Sequence, residues 1–316
     1  MTHEKAQKLR TLLAEDEIYL VPEFADFAAA KAAEINGFKV TMISSGDLSG
    51  GVTGIPDLQL LTLDEFVWVT ERICARSPMP LIVDADDGFG GRPLNTYFGA
   101  QKIMHAGAAG ILVIDGAAQG KTGVLPIDEA CIRFRAARDG LEDGYLVARV
   151  DVNPLTDFNE AMERSLAYRE AGADMICVLW MHRVPMAQRL DLVRRIAEVD
   201  KGPKWYPDLS SENGVSELDI DRDLKPFNYK LVGVHFSAHA AMLAMLDTGR
   251  HVFEDRNNVY VETHYNYTGY HFMTTMSMYD LANGYWPSIE RKYVKDPEDA
   301  IAVRNAAYFV RPDDRF

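Results

Sequence analysis

Three carboxylates crowd one short stretch of the chain, "LIVDADDGFG" at residues 81–90. Asp84, Asp86 and Asp87 follow an apolar run with the composition of a buried strand. Carboxylates this close repel one another, and each is driven toward its protonated form unless a cation intervenes. Mg²⁺ prefers oxygen ligands and is commonly held by one or two carboxylates. The spacing therefore makes Asp84 and Asp86 candidate ligands of a divalent metal ion.

A structural explanation of the same stretch does not involve a metal. Asp86 and Asp87 would cap the following turn, and Gly88 and Gly90 would close it. The spacing of the carboxylates does not separate the two interpretations. The choice between them depends on the secondary-structure elements that position the stretch and on the residues that lie close to it.

The surrounding segments alternate between short β-branched runs and amphipathic runs with helical spacing. The predicted strands cover residues 18–24, 38–46, 80–86, 110–116, 145–151, 174–180, 203–208 and 231–236. The predicted helices include residues 4–14, 25–36, 63–76, 96–107, 158–172 and 186–199. About eight such units in roughly 250 residues predict an α/β fold, a (β/α)₈ TIM-type barrel. An open doubly wound sheet is the alternative, but no G-x-G-x-x-G follows the first strand.

The active site of a (β/α)₈ barrel lies at the carboxyl ends of its strands. Polar residues follow each of the predicted strands, among them Glu23, Ser45, Asp84, Asp115, Arg149, His182, Asp208 and His235. We therefore expect acidic groups from most of the strands to converge at one site. His235 is a candidate proton donor there, or a histidine whose hydrogen bonds are simply satisfied at a strand end.

Five segments resemble, in order, signature segments of the isocitrate lyase/phosphoenolpyruvate mutase superfamily. They are "ISSGDLSGGVTGIPDLQLLTLDEF", "PLIVDADDGFGG", "HAGAAGILVID", "LVARVD" and "EAGADMICV", and the resemblance covers about residues 5–250. It implies a (β/α)₈ barrel, a Mg²⁺ or Mn²⁺ cofactor, and a small carboxylic acid substrate, a 2-oxo or 2-hydroxy acid. It also implies chemistry through an enolate-like species.

The resemblance assigns roles to residues position by position. The matched residues are Asp84 and Asp86 for the metal, Ser45, Gly46, Arg149 and Asp208 for the substrate, and Asp57 for catalysis. Asp208 stands where the family has an asparagine. The arginine fits its implied role physically, because a guanidinium fork matches a carboxylate.

Several family features are missing from the chain. The lyases carry a K-[KR]-C-G-H loop whose cysteine acts as an acid, but here "IDGAAQGKTGVLPIDEA" contains neither Cys nor His. Lys121 in this segment is a candidate catalytic replacement for the loop lysine, or a solvated loop residue. Ile114 and Leu179 stand where the family has glutamates.

Three functions remain open at this point. The first is a metal-dependent lyase for a small 2-oxo or 2-hydroxy di- or tricarboxylic acid, and decarboxylation of an oxaloacetate-like acid needs the missing cysteine least. The second is a P–C mutase or hydrolase acting on phosphonopyruvate or phosphoenolpyruvate. The third, suggested by Ile114 and Leu179, is a barrel that has lost its chemistry and serves as a binding or assembly subunit.

Composition narrows the partners of this 316-residue chain. A formal net charge of −14 argues against nucleic acid and anionic membrane surfaces as partners. No apolar stretch approaches the roughly 20 residues that span a membrane. Three widely spaced cysteines favour a reducing cytoplasm over a disulfide framework.

The amino-acid composition of the sequence changes after about residue 250. We expect residues 1–250 to form the barrel and residues 251–316 a helical, aromatic-rich extension. Its density of Tyr, Phe, Met and Trp indicates an interface in a homo-oligomer, a dimer or tetramer. The alternative is a lid over the barrel mouth, with His264 or His271 near the substrate.

Overall fold

A computed structural model describes residues 4–117, 123–209, 218–264, 285–293 and 295–296. Within these residues, eight parallel strands close into one barrel in chain order. The strands are β1 (Tyr19–Phe24), β2 (Thr41–Ile43), β3 (Leu81–Asp84), β4 (Gly110–Ile114), β5 (Tyr145–Val150), β6 (Met175–Val178), β7 (Lys204–Tyr206) and β8 (Tyr229–Val234). The last strand pairs with the first, which closes the ring. The predicted (β/α)₈ barrel is confirmed.

Helices alternate with the strands as expected, except that the described residues between β7 and β8 form only two short turns, Ile220–Leu224 and Lys225–Phe227. In the barrel unit they are α1 (Glu4–Ala14), α2 (Phe27–Ile35), α3 (Ser45–Leu48), α4 (Leu63–Cys74), α5 (Pro93–His105), α6 (Ile127–Leu141), α7 (Phe158–Glu170) and α8 (Met186–Val199). Among these, α3 and α6 are absent from the predicted set, and α3 begins where the predicted strand at residues 38–46 was expected to end. Side chains fix several helix starts: Asp26 accepts from the Ala29 amide, and Thr62 with Glu65 forms a capping box before α4.

Strand alternation decides which side chains enter the barrel. In β3, Leu81 and Val83 pack in the core cluster between strands and helices, whereas Ile82 belongs to the smaller cluster inside the ring. Successive side chains of a strand point to opposite faces. The next inward position after Ile82 is Asp84, at the carboxyl end of the strand.

The chain divides into two compact units, residues 1–238 and residues 239–316. Helix α9 (Ser237–Asp255) begins at this division, so the predicted boundary at residue 250 lies inside a helix. It is followed by α10 (Val259–His264) and α11 (Tyr285–Tyr293). Most of the aromatic-rich stretch, including His271, lies outside the described residues.

Helix α9 has no buried residue. Its exposed large apolar side chains are Met242, Leu243, Met245, Leu246, Val252 and Phe253. Within the second unit, the Tyr260 ring stacks between His251 and His264, and its hydroxyl donates to Asp247 over 2.7 Å. In the described ranges, no helix is both long enough and apolar enough to cross a membrane.

Candidate active site

A cavity of about 330 Å³ lies at the carboxyl ends of the strands. Residues from, or shortly after, all eight strands line it: Glu23, Met42, Ser44, Ser45, Gly46, Asp57, Asp84, Asp86, Leu112, Arg149, Cys177, Leu179, Arg183, Trp205, Pro207, Asp208 and His235. Every residue to which the sequence analysis assigned a metal, substrate or catalytic role is in this set except Lys121, which lies outside the described residues. Of the other strand-end residues considered, Asp115 is not in the set, and the side chain of His182 lies outside the described residues.

The two candidate metal ligands form a closely coupled pair. The Asp86 amide donates to Asp84 Oδ1 over 3.1 Å, and Ser45 Oγ lies 3.2 Å from a carboxylate oxygen of each aspartate. Burial raises the pKa of Asp84, although Arg149 opposes the change. Burial, Asp84 and Asp57 together hold the pKa of Asp86 well above its usual range. The pair therefore concentrates negative charge at a cost that a bound cation would relieve.

The third carboxylate of the stretch has a different role. Asp87 is 1% exposed, and its Oδ1 accepts from the Gly90 amide over 3.0 Å. Gly88 has φ 83°, and a Cβ there would lie 2.1 Å from Thr96 Oγ1, so the turn requires glycine. Turn capping thus belongs to Asp87, whereas Asp86 lines the cavity.

The donor set fits a hard divalent ion that keeps most of its waters. Among the described residues, no group of three or more His, Cys, Asp and Glu side chains forms a ready-made metal cluster. Mg²⁺ usually takes only one or two carboxylates and retains several waters. The pair Asp84 and Asp86 offers oxygen alone, which suits Mg²⁺ or Mn²⁺ better than a softer metal.

Ser45 and Gly46 form the beginning of α3, directly after β2. Ser45 is buried, and its hydroxyl faces the two aspartates. A Cβ at Gly46 would lie 3.2 Å from Asp57 Oδ2, so the absence of a side chain lets that carboxylate approach closely. The three residues therefore form one wall of the cavity beside the candidate metal ligands.

Arg149 places a fixed cation in the cavity. Its Nε and Nη2 donate to the two carboxylate oxygens of Asp151 over 2.8 and 3.0 Å. Burial alone would lower the pKa of Arg149, but Asp151 and then Asp84 raise it above its ordinary value. A fully ionised guanidinium held in this way suits the binding of a carboxylate.

Asp115 does not join the convergent acids, so that part of the expectation was wrong. It is fully buried outside the cavity, where Tyr168 Oη donates to it over 2.7 Å and Arg164 Nη1 lies 3.3 Å away. Burial, and then Asp151, raises its pKa to about 6. The cause is strand alternation, because Ile114 faces into the ring and the next residue faces away.

His235 bridges two acids at the mouth of the cavity. Its Nε2 lies 2.8 Å from Glu23 Oε2, and its Nδ1 lies 3.4 Å from Asp208 Oδ1. The hydrogen bonds to Asp208 and Glu23 raise the pKa of His235 to about 10. Burial raises the pKa of Glu23, while His235 opposes the change. His235 is therefore an imidazolium at neutral pH.

Two of the cavity residues that have acidic or basic side chains, Glu23 and Arg183, were not among the site residues taken from the sequence. Glu23 was noted only as a polar strand end, although it lies two residues after the inward-facing Val21 and so faces inward itself. Arg183 follows β6 in a single helical turn, Leu179–Arg183, and no motif marked it. Leu179 lines the cavity as an apolar group where an acid was expected from the resemblance.

Comparisons with known proteins find relatives of this chain in sequence and in fold. The family model described as phosphoenolpyruvate phosphomutase matches residues 9–203. The petal death protein of Dianthus caryophyllus is 31% identical over 252 residues, which are 77% of this chain and 74% of that protein. The oxaloacetate decarboxylase of Chromohalobacter salexigens is 32% identical over 195 residues, 60% of this chain and 67% of that protein. A crystal structure of phosphonopyruvate hydrolase with oxalate and Mg²⁺ has the same fold, with a TM-score of 0.76 and 22% identity over 92% of this chain and 99% of that one.

Proposed function

Because the chain belongs to the phosphoenolpyruvate phosphomutase family of the isocitrate lyase/phosphoenolpyruvate mutase superfamily, we propose that it is a Mg²⁺- or Mn²⁺-dependent lyase. Its substrate is a small 2-oxo or 2-hydroxy acid, and its reaction is decarboxylation of an oxaloacetate-like acid. One observation carries the proposal: the imidazolium of His235 lines the same cavity as the carboxylate pair Asp84 and Asp86. A relative with 32% identity that is an oxaloacetate decarboxylase supports it.

The carboxylate pair provides the metal site of this proposal. Asp84 and Asp86 hold the ion, and Ser45 Oγ, 3.2 Å from an oxygen of each, keeps the two side chains oriented. The bound ion supplies Lewis acidity, stabilising negative charge on the 2-oxo oxygen of the substrate. A complex of Mg²⁺ and oxalate in a structure with the same fold supports this assignment.

Arg149 and the wall of Ser45 and Gly46 bind the substrate carboxylate. The guanidinium of Arg149 is oriented in advance by its two hydrogen bonds to Asp151, so little side-chain entropy is lost when a carboxylate binds. The apolar floor contains Leu112 and Trp205, which exclude water from the reacting carbons. Binding and orientation are the contributions of these residues.

His235 moves the proton in the chemical step. The C3–C4 bond of the substrate breaks, its electron pair enters the 2-oxo group to give an enolate, and CO₂ leaves. His235 then donates a ring proton to C3, and its contacts with Glu23 and Asp208 position the imidazolium that supplies this proton. The side chain is 45% exposed, so solvent restores the proton.

This route explains why the family cysteine can be absent. Cleavage of a longer hydroxy acid needs an acid placed to protonate the departing carbanion. Decarboxylation releases CO₂, which needs no proton, and leaves an enolate that one histidine protonates. The ionisable residues that line the cavity favour an active enzyme over a barrel that has lost its catalytic activity, although Leu179 is apolar.

The direct test is release of pyruvate from oxaloacetate, followed with a coupled dehydrogenase. We expect turnover that EDTA abolishes and Mg²⁺ restores, at a rate well above that of Mg²⁺ with heat-denatured protein. A rate equal to that control would refute the proposal. Conversion of phosphonopyruvate, detected as a new ³¹P resonance, without conversion of oxaloacetate would replace it with P–C chemistry.

Self-association is a further part of the proposal. The exposed apolar side chains of α9, such as Leu246 at 62% and Phe253 at 70% exposure, resemble an uncovered interface. We expect truncation after Arg250 to lower the mass measured by light scattering and to reduce solubility. Unchanged mass with lost activity would instead support a lid, and an unchanged soluble oligomer would refute the interface.

A further inference from the structure

The direction in which Arg149 points is set by Asp151. The Nε and Nη2 atoms of Arg149 donate to the two carboxylate oxygens of Asp151, over 2.8 and 3.0 Å. Within the described part of the chain, its third guanidinium nitrogen, Nη1, donates to no protein atom. Arg149 lines the cavity, whereas Asp151 does not. The position of Asp151 therefore decides how Arg149 presents Nη1 to a ligand.

Asp151 is in turn anchored through its backbone. Its amide donates to Asp115 Oδ1 over 2.9 Å, and its carbonyl oxygen accepts from the indole Nε1 of Trp180 over 2.6 Å. The partner of the amide is a carboxylate with no exposed surface. A hydrogen bond to an ionised acceptor is stronger than one between neutral groups. Asp115 is therefore well suited to fix the residue that orients Arg149.

Asp115 divides its two oxygens between Asp151 and helix α7. Oδ1 accepts from the Asp151 amide, whereas Oδ2 accepts from Tyr168 Oη over 2.7 Å and from Arg164 Nη1 over 3.3 Å. The side chains of Asp115, Tyr168 and Arg164 are all buried, so water does not compete for these bonds. The carboxylate thus connects a helix outside the barrel with a cation inside the cavity.

A purely structural role is the competing explanation for this network. Arg164 Nη1 also donates to the carbonyl oxygen of Leu125, over 2.8 Å, and so connects α7 with the segment after β4. The geometry of the carboxylate indicates more than pairing. At the buried Asp200, one arginine donates to both oxygens over 2.6 and 2.8 Å, which is the stronger way to pair an acid. Asp115 instead accepts one longer bond from its arginine and leaves Oδ1 to the amide of Asp151.

We propose that Asp115 is a positioning residue for the proposed reaction. Through the amide of Asp151, it fixes the direction in which Arg149 offers Nη1 to the substrate carboxylate. The inference rests on the proposed function, because it takes Arg149 as the residue that binds this carboxylate. Asp115 does not line the cavity and acts only through Arg149. Its substitution should therefore change ligand affinity only while Arg149 is present.

Asp115→Asn breaks the link selectively. The asparagine oxygen should turn toward the two donors on α7, because its NH₂ group would otherwise face the guanidinium of Arg164. That orientation sets the NH₂ group against the Asp151 amide, donor to donor, and the bond to Asp151 is lost. In calorimetric titrations with Mg²⁺ and oxalate, we expect Asp115→Asn to weaken oxalate binding about 3- to 10-fold, the net value of one hydrogen bond. Arg149→Gln, which removes the guanidinium itself, should weaken it about 10- to 100-fold.

The double variant identifies the route of the effect. In the Arg149→Gln background, Asp115→Asn should leave oxalate affinity within about twofold, because the residue through which it acts is gone. Equal losses with and without Arg149 would overturn the inference, and so would unchanged oxalate affinity in Asp115→Asn alone.

Asp200→Asn is the matched control. Asp200 is also buried, also paired with an arginine, and also accepts from a backbone amide, that of Gly202 over 3.0 Å, but it does not line the cavity and has no contact with Asp151. We expect this variant to lose stability and to keep its oxalate affinity. If it lost as much oxalate affinity as Asp115→Asn, general destabilisation would explain both results and the inference would be wrong.

A second variant covers the case in which Asp115→Asn does not fold. Tyr168→Phe removes one hydrogen bond from Asp115 and keeps the ring against Phe134, with the ring centroids 4.4 Å apart. It should weaken oxalate binding about 2- to 3-fold, and only when Arg149 is present. Unchanged oxalate affinity in Tyr168→Phe would then decide against the inference.

A measurement on Arg149 itself separates this inference from the proposed function. Its Nε–H resonance, assigned by its loss in Arg149→Gln, should exchange with solvent at least about tenfold faster in Asp115→Asn than in the wild type, because Asp151 no longer holds it. Asp200→Asn should exchange as the wild type does. Absence of Mg²⁺-dependent oxalate binding in the wild type would refute the proposed function, whereas equal Nε–H exchange in Asp115→Asn and wild type would refute the positioning of Arg149 by Asp115.

Discussion

Two sets of acids, one at each end of the barrel, differ in how their charge is balanced. At the amino end, Asp174 accepts from Arg10 Nη1 over 3.0 Å, from Arg138 Nη1 over 2.8 Å and from the Leu146 amide over 2.9 Å. Asp174 is half-buried, and donors reach both of its carboxylate oxygens. Asp200, next to β7, is held in the same way by Arg169 Nε over 2.6 Å.

At the carboxyl end, the charges of the β3 carboxylates are not neutralised in this way. Within the described part of the chain, neither Asp84 nor Asp86 has an ion pair within 4 Å, and the pKa of each is raised by burial. The comparison shows that this chain can pair buried acids with arginines where stability alone is required. The unpaired acids are therefore better explained by a ligand than by folding.

The largest expected effect comes from substituting the unpaired carboxylates at the end of β3. Asp84→Asn and Asp86→Asn should each lower metal-dependent turnover by at least about 10³-fold, because the Lewis acid loses its mount. The free energy of unfolding should stay the same or increase, because one of two repelling carboxylates is removed. Steady-state kinetics and urea denaturation of the same preparations measure both quantities.

Asp221→Asn is the control for removing a negative charge, because Asp221 is exposed and lies away from the cavity. It should change neither quantity. If Asp84→Asn or Asp86→Asn lost stability and kept its activity, the two aspartates would be structural, and the contrast between the two ends would fail.

The next largest expected effect comes from removing an acid that is paired with arginines at the amino end of the barrel. Asp174→Ala should lower the free energy of unfolding by about 2 kcal/mol, because it leaves Arg10 and Arg138 without their shared acceptor. Turnover per folded molecule should be unchanged. Urea denaturation measures the loss, and kinetics at a denaturant concentration far below the midpoint measure turnover. If Asp174→Ala kept its stability and lost activity, the amino end of the barrel would take part in function, against this expectation.

The smallest expected effect is a change in pH dependence at His235. The groups that face this imidazole are Glu23 on β1, Asp208 after β7 and Asp47 on α3. Its pKa of about 10 predicts an alkaline limb near pH 10 in kcat/KM, because the proton to be donated is lost there. Asp208→Asn removes the leading cause of the shift and should lower the limb by about one pH unit.

The sign of the stability effect follows from the same shift. The folded-state pKa of His235 lies above the ordinary value of 6.5, so its stabilisation is complete below about pH 6.5 and is lost as pH rises toward 10. The ¹H–¹⁵N resonances of the imidazole report the titration directly. A limb that stays in place in Asp208→Asn would show that another group sets it.

The sequence alone was sufficient to predict the barrel and the neighbouring residues at the end of a single strand. Period-two alternation and short helical runs identified the ring, and "DADDGFGG" placed Asp84 and Asp86 together because they are two residues apart on one strand. The observed strands are shorter than predicted, as in β3, which ends at Asp84, not at residue 86. Apolar and β-branched residues continue past the end of a strand into the following loop. Composition therefore does not show where the last hydrogen bond between two strands lies.

Contacts between distant strands were outside the reach of the sequence. Glu23 and His235 meet only because β8 closes onto β1, and no local pattern links residues 212 positions apart. Arg183 and the Trp180 indole depend on a single turn after β6 that no spacing marks. Asp115 could have been assigned correctly, because the same alternation that places Ile114 inside turns its neighbour outward.

We propose above all that Asp84 and Asp86 hold a divalent ion to which a 2-oxo acid binds. Crystals of the full chain grown with Mn²⁺ and oxalate test it most directly, through the anomalous scattering of manganese. We expect one strong anomalous peak in the cavity, beside Asp84 and Asp86 and bound to oxygens of one or both, directly or through one water, with oxalate on the side of the ion that faces Arg149. Ordered crystals with no anomalous peak beside Asp84 and Asp86, or with the ion bound elsewhere, would contradict it.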